Sequence, residues 1–140
     1  MTEKDLTARR WTVFAPTCPS RESLARIANK WTAMIVILLH ENPRRFSQLH
    51  EMIGGISKKV LTDTLRALER DGMVEHVRDP GAPACYRLTP LGRTLFEPLL
   101  ALEIWAEAHV DEVREAQLRY DRVRAEAVLA SVDRWPQVGG

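Results

Sequence analysis

Residues 44–72 read RRFSQLHEMIGGISKKVLTDTLRALERDG, two apolar-patterned stretches joined by a glycine pair. Phe46, Leu49 and Ile53 recur at spacings of three and four, which predicts a short helix over about 45–53. Gly54-Gly55 then supplies a tight turn, because paired glycines tolerate the positive φ that such a connection needs. Ser57 offers an N-cap hydroxyl for a second helix running to about Asp71, with Gly72 as its C-cap. Val60, Leu61, Leu65 and Leu68 form the expected core face of that helix. Lys58, Lys59, Thr62, Asp63, Arg66 and Arg70 occupy the other face.

N-terminal to this pair, Pro16 and Pro19 predict an extended arm over residues 1–19, since proline removes a backbone donor and blocks helix continuation. Ser20 is the expected cap of a short helix carrying Leu24, Ile27 and Ala28. Asn29 interrupts it, and a helix over Lys30–Glu41 follows, apolar on nearly every side from Met34 to Leu39 and hence expected at the centre of its domain. Asn42-Pro43 ends it. On the C-terminal side, residues 73–78 and 85–88 read as a small β-hairpin across the turn Asp79-Pro80-Gly81-Ala82-Pro83. Thr89-Pro90 marks a helix start, a hydroxyl cap followed by proline at the first position. The helix it opens is expected to reach about Tyr120, with a kink at Pro98 and an apolar seam of Leu91, Leu95, Leu99, Leu102, Ala106, His109 and Val113. A further amphipathic stretch runs from Asp121 to Asp133, ahead of the tail 135–140.

Composition bounds the function. The 140 residues hold 20 Lys and Arg against 19 Asp and Glu, but the charge is uneven: the middle, 44–93, is net basic and the stretch 94–140 net acidic. Two cysteines, Cys18 and Cys85, are too few for a disulfide scaffold and lack metal-ligand spacing. The N-terminus carries no apolar signal region, and the run from Ala33 to Leu39 is too short to cross a bilayer, so a reducing cytoplasmic setting without a membrane partner is expected. His40, His50, His76 and His109 lack any metal-binding spacing, and no cofactor is implied. There is no nucleophile elbow, phosphate-binding glycine loop or paired-carboxylate cleft, which argues against an enzyme.

Short helices, a cationic helix after a tight turn, and a hairpin together make a winged helix-turn-helix: mainly α, with a small β-hairpin and a long C-terminal dimerisation helix. The expected organisation is an arm over 1–19, a DNA-binding domain over 20–93, and a dimerisation helix and tail over 94–140. A recognition helix enters the major groove with its N-terminal residues at the bases, where polar donors are needed. Ser57, Lys58, Lys59, Thr62 and Arg66 meet that need. Arg44 and Arg45 are placed to hold phosphates. Asp63 repels phosphate unless it accepts from cytosine or orients Lys59 or Arg66. Arg70 is read as a surface partner of Glu69 or Asp71.

The ordered set Cys18-Pro19, Lys30-Trp31, Arg45-Phe46-Ser47-Gln48-Leu49, Gly55-Ile56-Ser57, Val60-Leu61-Thr62, Leu65-Arg66-Ala67-Leu68-Glu69, Asp71-Gly72-Met73-Val74, Tyr86-Arg87-Leu88-Thr89 and Leu91-Gly92 resembles the HxlR-type winged-helix regulators, a branch close to MarR, over about residues 18–105. The resemblance implies a homodimer that binds double-stranded operator DNA and responds to an oxidant, an electrophile or a small molecule. It implies pairing through the segment near the cysteine and the long helix. It also implies sensing at Cys18. The wing turn departs from the pattern, having no basic residue between Asp79 and Cys85, so the DNA contacts that the resemblance implies for the wing are expected at its base, from Arg78 and Arg87.

Two readings of Cys18 stand side by side: a small packed hydrophobe, or a thiol activated by Arg21 and the start of the following helix. Trp31 is expected in the core, and Trp105 between subunits or beside an effector. A long helix with an apolar seam needs a partner to bury it, and Leu95, Leu99, Leu102, Trp105 and His109 are the expected dimer residues. The alternative function is a winged-helix protein-interaction module without specific DNA binding.

Overall fold

The structure, a computed structural model, describes residues 11–136. The first ten residues of the expected arm, and the end of the tail from Gln137 onward, lie outside them. The described chain falls into two compact units, one running through Ala101 and the other beginning at Leu102.

The first unit is built around α2 (Lys30–Glu41), preceded by α1 (Pro19–Ile27) and followed by α3 (Phe46–Met52) and α4 (Lys58–Arg70). Strands β1 (Val74–Val77) and β2 (Cys85–Leu88) pair antiparallel, with Val74 opposite Leu88 and Val77 opposite Cys85. A single antiparallel bridge between Arg44 and Tyr86 ties this hairpin to the entrance of α3: the Arg44 amide donates to the Tyr86 carbonyl at 3.0 Å, and the Tyr86 amide returns the bond at 2.7 Å. A short α5 (Pro90–Arg93) leads to α6 (Phe96–Val132).

The core is a winged helix-turn-helix core. Ile35, Val36 and Leu39 from α2 meet Leu49 of α3, Leu61, Leu65 and Leu68 of α4, and Val74 and Leu88 of the hairpin. Ile53 and Ile56 are buried on either side of the glycine turn, which pins the angle between α3 and α4, and Gly55 takes φ +83° there. Thr32 is the buried polar side chain of this core, satisfied because its hydroxyl donates to the Arg26 carbonyl at 3.1 Å. Asn29 accepts from the Trp31 amide and so caps α2 while ending α1.

The structure corrects five local expectations. Proline 19 opens α1 as its first residue, with Cys18 as N-cap, so Ser20 lies inside the helix; the chain before it turns rather than extends, its amides at Ala15 and Cys18 donating to Thr12 and Ala15 carbonyls. Asp71 is the C-cap of α4, and Gly72 is the left-handed residue after it, at φ +77°. Val60, expected in the core, is 37% exposed. The helix at Thr89-Pro90 lasts only to Arg93 and the chain restarts at Phe96, which puts Pro98 in a first turn where no intrahelical donor is required, so no kink is needed there. Finally, the stretches expected as separate helices around Tyr120 and Asp121 are one continuous helix; no proline or glycine stands between them to stop it.

Candidate nucleic-acid interface

The candidate face begins at the N-terminus of α4. The Ser57 hydroxyl oxygen accepts from the Val60 amide at 3.1 Å and so caps α4. Lys58, Lys59 and Arg66 are exposed, Thr62 is half-buried, and Leu61, Leu65 and Leu68 face the core from the opposite side. The core face thereby presents the cations outward. Lys59 donates to Asp63 at 3.2 Å, one turn on, with both side chains well exposed, so Asp63 orients Lys59.

Arg44 and Arg45, adjacent in sequence, have different surroundings. The Arg44 guanidinium is mostly buried, donating to Glu41 at 2.9 Å and reaching the Leu38 carbonyl at 3.4 Å, so it ties α2 to the bridge at Tyr86. Arg45 is exposed at the cap of α3, its amide held by Gln48 at 2.9 Å. In the wing, Arg87 donates to Glu75 across the strands at 2.7 Å, and this carboxylate holds the guanidinium pKa up. Arg78 is exposed just beyond β1, with His76 Nδ1 at 3.5 Å. His76 stacks on Tyr86 at 4.2 Å between centroids, which stiffens the base of the wing. Burial, reinforced by Glu69, raises the Tyr86 phenol pKa.

Cys18 is a free, part-exposed thiol. The Ser20 hydroxyl lies 2.9 Å from its Sγ and, as a donor to the thiolate, pulls the thiol pKa below its ordinary value against the opposing effect of burial; backbone amides of Ser20 and Thr12 add to the lowering. Arg21 does not contribute: it donates to the Val13 and Phe14 carbonyls instead. Cys85 is likewise free, on β2.

Of the residues expected at a dimer seam, Leu99 closes its own chain's core at 4% exposure, and Leu95 packs against that core. Leu102 and Trp105 are exposed. His109 stacks on Trp105 at 4.8 Å and donates from Nδ1 to the Trp105 carbonyl at 2.8 Å, one turn back. Among the described residues no cluster of His, Cys, Asp or Glu fits a metal ion, and no helix is long and apolar enough to cross a membrane.

Sequence reasoning missed three residues. Val60 sits exposed among the cations of α4; its helical spacing with Leu61 and Leu65 hid it. Asp71 pairs with Arg26 of α1, not with Arg70, a long-range contact that no local pattern signals. Gly92 has no room for a side chain, since a Cβ there would meet the Met73 carbonyl.

Comparison with known proteins gives a consistent result. Residues 26–114 match the model of the HxlR-like helix-turn-helix family. The chain is 42% identical over 103 residues to the HTH-type transcriptional regulator YtfH of Escherichia coli, covering 72% of this chain and 82% of that one. It is similar in structure to the transcriptional regulator ytfH from Salmonella typhimurium, with a TM-score of 0.70, 36% identity, and 77% and 98% of the two chains covered. It is also similar to the quinone-bound form of YodB from Bacillus subtilis, with a TM-score of 0.54, 30% identity, and 65% and 99% covered.

Proposed function

The chain belongs to the HxlR-like helix-turn-helix family of transcriptional regulators, a non-enzymatic class, and from that premise we propose that it is a homodimer binding a pseudo-palindromic operator through α4. The observation that carries the reading is the exposed set Lys58, Lys59 and Arg66 on a helix that starts immediately after the glycine turn. In the major groove, Lys59, Thr62 and Arg66 read bases or adjacent phosphates, with Lys58 at the backbone and Val60 against a thymine methyl. Arg45 positions the duplex from the cap of α3. Arg87 gives less, because Glu75 already neutralises part of its charge. Two protomers would set half-sites roughly 34–36 Å apart, one turn of DNA.

The signal is an electrophile or oxidant at Cys18. Its support is the lowered thiol pKa beside Ser20 and the similarity to a regulator whose structure is quinone-bound. A small-molecule effector near Trp105 is the other candidate signal. One observation favours a second function, a protein-interaction module: the exposed turn from Asp79 to Ala84 carries no cation.

Binding of the protein to its own upstream DNA, with and without a thiol oxidant, tests these together. Specific binding lost on oxidation in the wild type but kept in Cys18→Ser supports the switch. Binding indifferent to oxidant retires Cys18 to packing, and absence of specific binding favours the protein-interaction reading.

A further inference from the structure

The wing and α4 meet beside an aromatic pair. Strand alternation puts His76 and Tyr86 on the same face of the hairpin as the buried Val74 and Leu88, the face that packs on α4. Glu75 and Arg87 occupy the opposite face, where they pair with each other. His76 and Tyr86 are partners in register, and their rings stack at 4.2 Å with 6° between the planes. The bridge to Arg44 fixes the Tyr86 backbone from its other side. The imidazole is thereby held in one orientation, with Nδ1 3.5 Å from the Arg78 guanidinium.

Charge gathers around this pair. Arg66 of α4 and Arg78 of the wing lie close enough to the Tyr86 phenol to favour its ionised form, yet burial and Glu69 outweigh them, so the hydroxyl stays protonated and able to donate. Arg66 and Arg78 are exposed, and neither forms an ion pair among the described residues. The acids near the imidazole are Glu69, across a shallow groove, and Glu75, whose carboxylate is taken by Arg87. Arg87 lines the same groove, and Asp79 acts on its guanidinium as well. With its proton on Nε2, a neutral imidazole can accept from Arg78 through Nδ1. A protonated ring sets a second cation against Arg78, which is favourable once an anion comes between them.

We propose that His76 is a further phosphate-binding residue, one that takes a proton from solvent when a backbone phosphate of duplex DNA seats beside it with Arg78 and Arg66. This rests on the DNA-binding reading above and adds to it a site and a pH dependence. The imidazolium and the two guanidiniums give the phosphate charge-assisted hydrogen bonds, and the Tyr86 ring holds the imidazole in place for them. Protonation and phosphate binding favour one another, so binding takes up protons and affinity rises as pH falls through the range in which histidines titrate. The contact is to the backbone and reads no base, so any duplex engages it.

Anisotropy titration of the full chain with a mixed-sequence duplex tests the site, at several salt concentrations and between about pH 8 and about pH 5.5. For the wild type, affinity should rise about three- to ten-fold toward the acid end, and the salt slope should steepen by about one. His76→Phe keeps a ring on Tyr86 without a titratable group, so it should lose that rise and bind at every pH as the wild type does at the alkaline end. His76→Arg carries its charge permanently and should hold the acid-end affinity and slope throughout. A melt of each variant checks that it is folded. A rise that survives in folded His76→Phe places the proton on another group, His40, His50 or His109 among them, and overturns the proposal. Wild-type affinity that does not change with pH overturns it too, and leaves the DNA-binding reading standing. Absence of duplex binding by the wild type at every pH overturns both.

Discussion

Single residues decide where the two surfaces of the first unit are fixed. Gly92 lies against the Met73 carbonyl, close beside the Thr89 hydroxyl that accepts from its amide at 3.1 Å and donates to the Gly72 carbonyl at 2.6 Å. Gly92→Ala must push backbone apart, and an overpacking cost of about 2–3 kcal/mol is expected, read as a lower midpoint in a denaturant melt; an unchanged midpoint would show that α5 can shift freely. Cys18 carries the second residue-scale prediction. Its folded thiol pKa is lowered, first by the Ser20 hydroxyl, so the thiolate forms at lower pH than in an unfolded chain. Alkylation of Cys18 in a Cys85→Ser background should therefore rise with pH at values below those for free cysteine, and Ser20→Ala should move the profile back up. By linkage the ionised thiol favours the folded state above the unfolded pKa, and that contribution is lost as pH falls through the folded one. Equal profiles for the wild type and Ser20→Ala would remove the serine from the account.

At the scale of elements, α4 is amphipathic in charge as well as in hydropathy, and Asp63 is the one acid on its exposed side ahead of Glu69. Because Asp63 holds Lys59 at 3.2 Å, Asp63→Asn should free the lysine and raise affinity for non-specific duplex roughly two- to five-fold at low salt, with the gain shrinking as salt screens it. A fall in affinity would mean that Asp63 positions Lys59 productively. The helix-turn-helix was legible because its determinants are local: the three-and-four spacing of Phe46, Leu49 and Ile53, the glycine turn, and the Ser57 cap all act within a few residues. What escaped was tertiary. Pattern placed Val60 with Leu61 and Leu65, but a helix face has a finite width and Val60 falls at its edge, exposed. Thr89-Pro90 announced a helix start correctly, yet no local signal announced its stop at Arg93; that follows from Gly92 packing on Met73 and from Phe96 stacking on His40 at 3.5 Å between centroids. Of the candidate contact residues, the exposed cations of α4 were readable from amphipathicity. The engagement of Arg44 with Glu41, and of Arg87 with Glu75, was not, because each depends on which side chain the fold brings alongside.

The whole molecule joins a winged helix-turn-helix to a helix whose exposed apolar side needs covering, and the two parts answer to different measurements. If the long helix assembles the chain, sedimentation at micromolar concentration should give a dimer mass, and Trp105→Glu should shift it toward monomer while the melting of the first unit stays near that of the wild type. A stable wild-type monomer would leave the exposed seam of α6 without a role in assembly. The central claim, that α4 reads DNA, has a more direct test. Anisotropy titration of the protein's own upstream duplex, over a series of salt concentrations, compares the wild type with Lys59→Ala and Arg66→Ala. A specific complex is expected whose affinity falls steeply with salt, weakened by about 1–3 kcal/mol in either variant, with the salt slope shallower by about one wherever a phosphate contact is removed. Affinity and slope unchanged in both folded variants would contradict it.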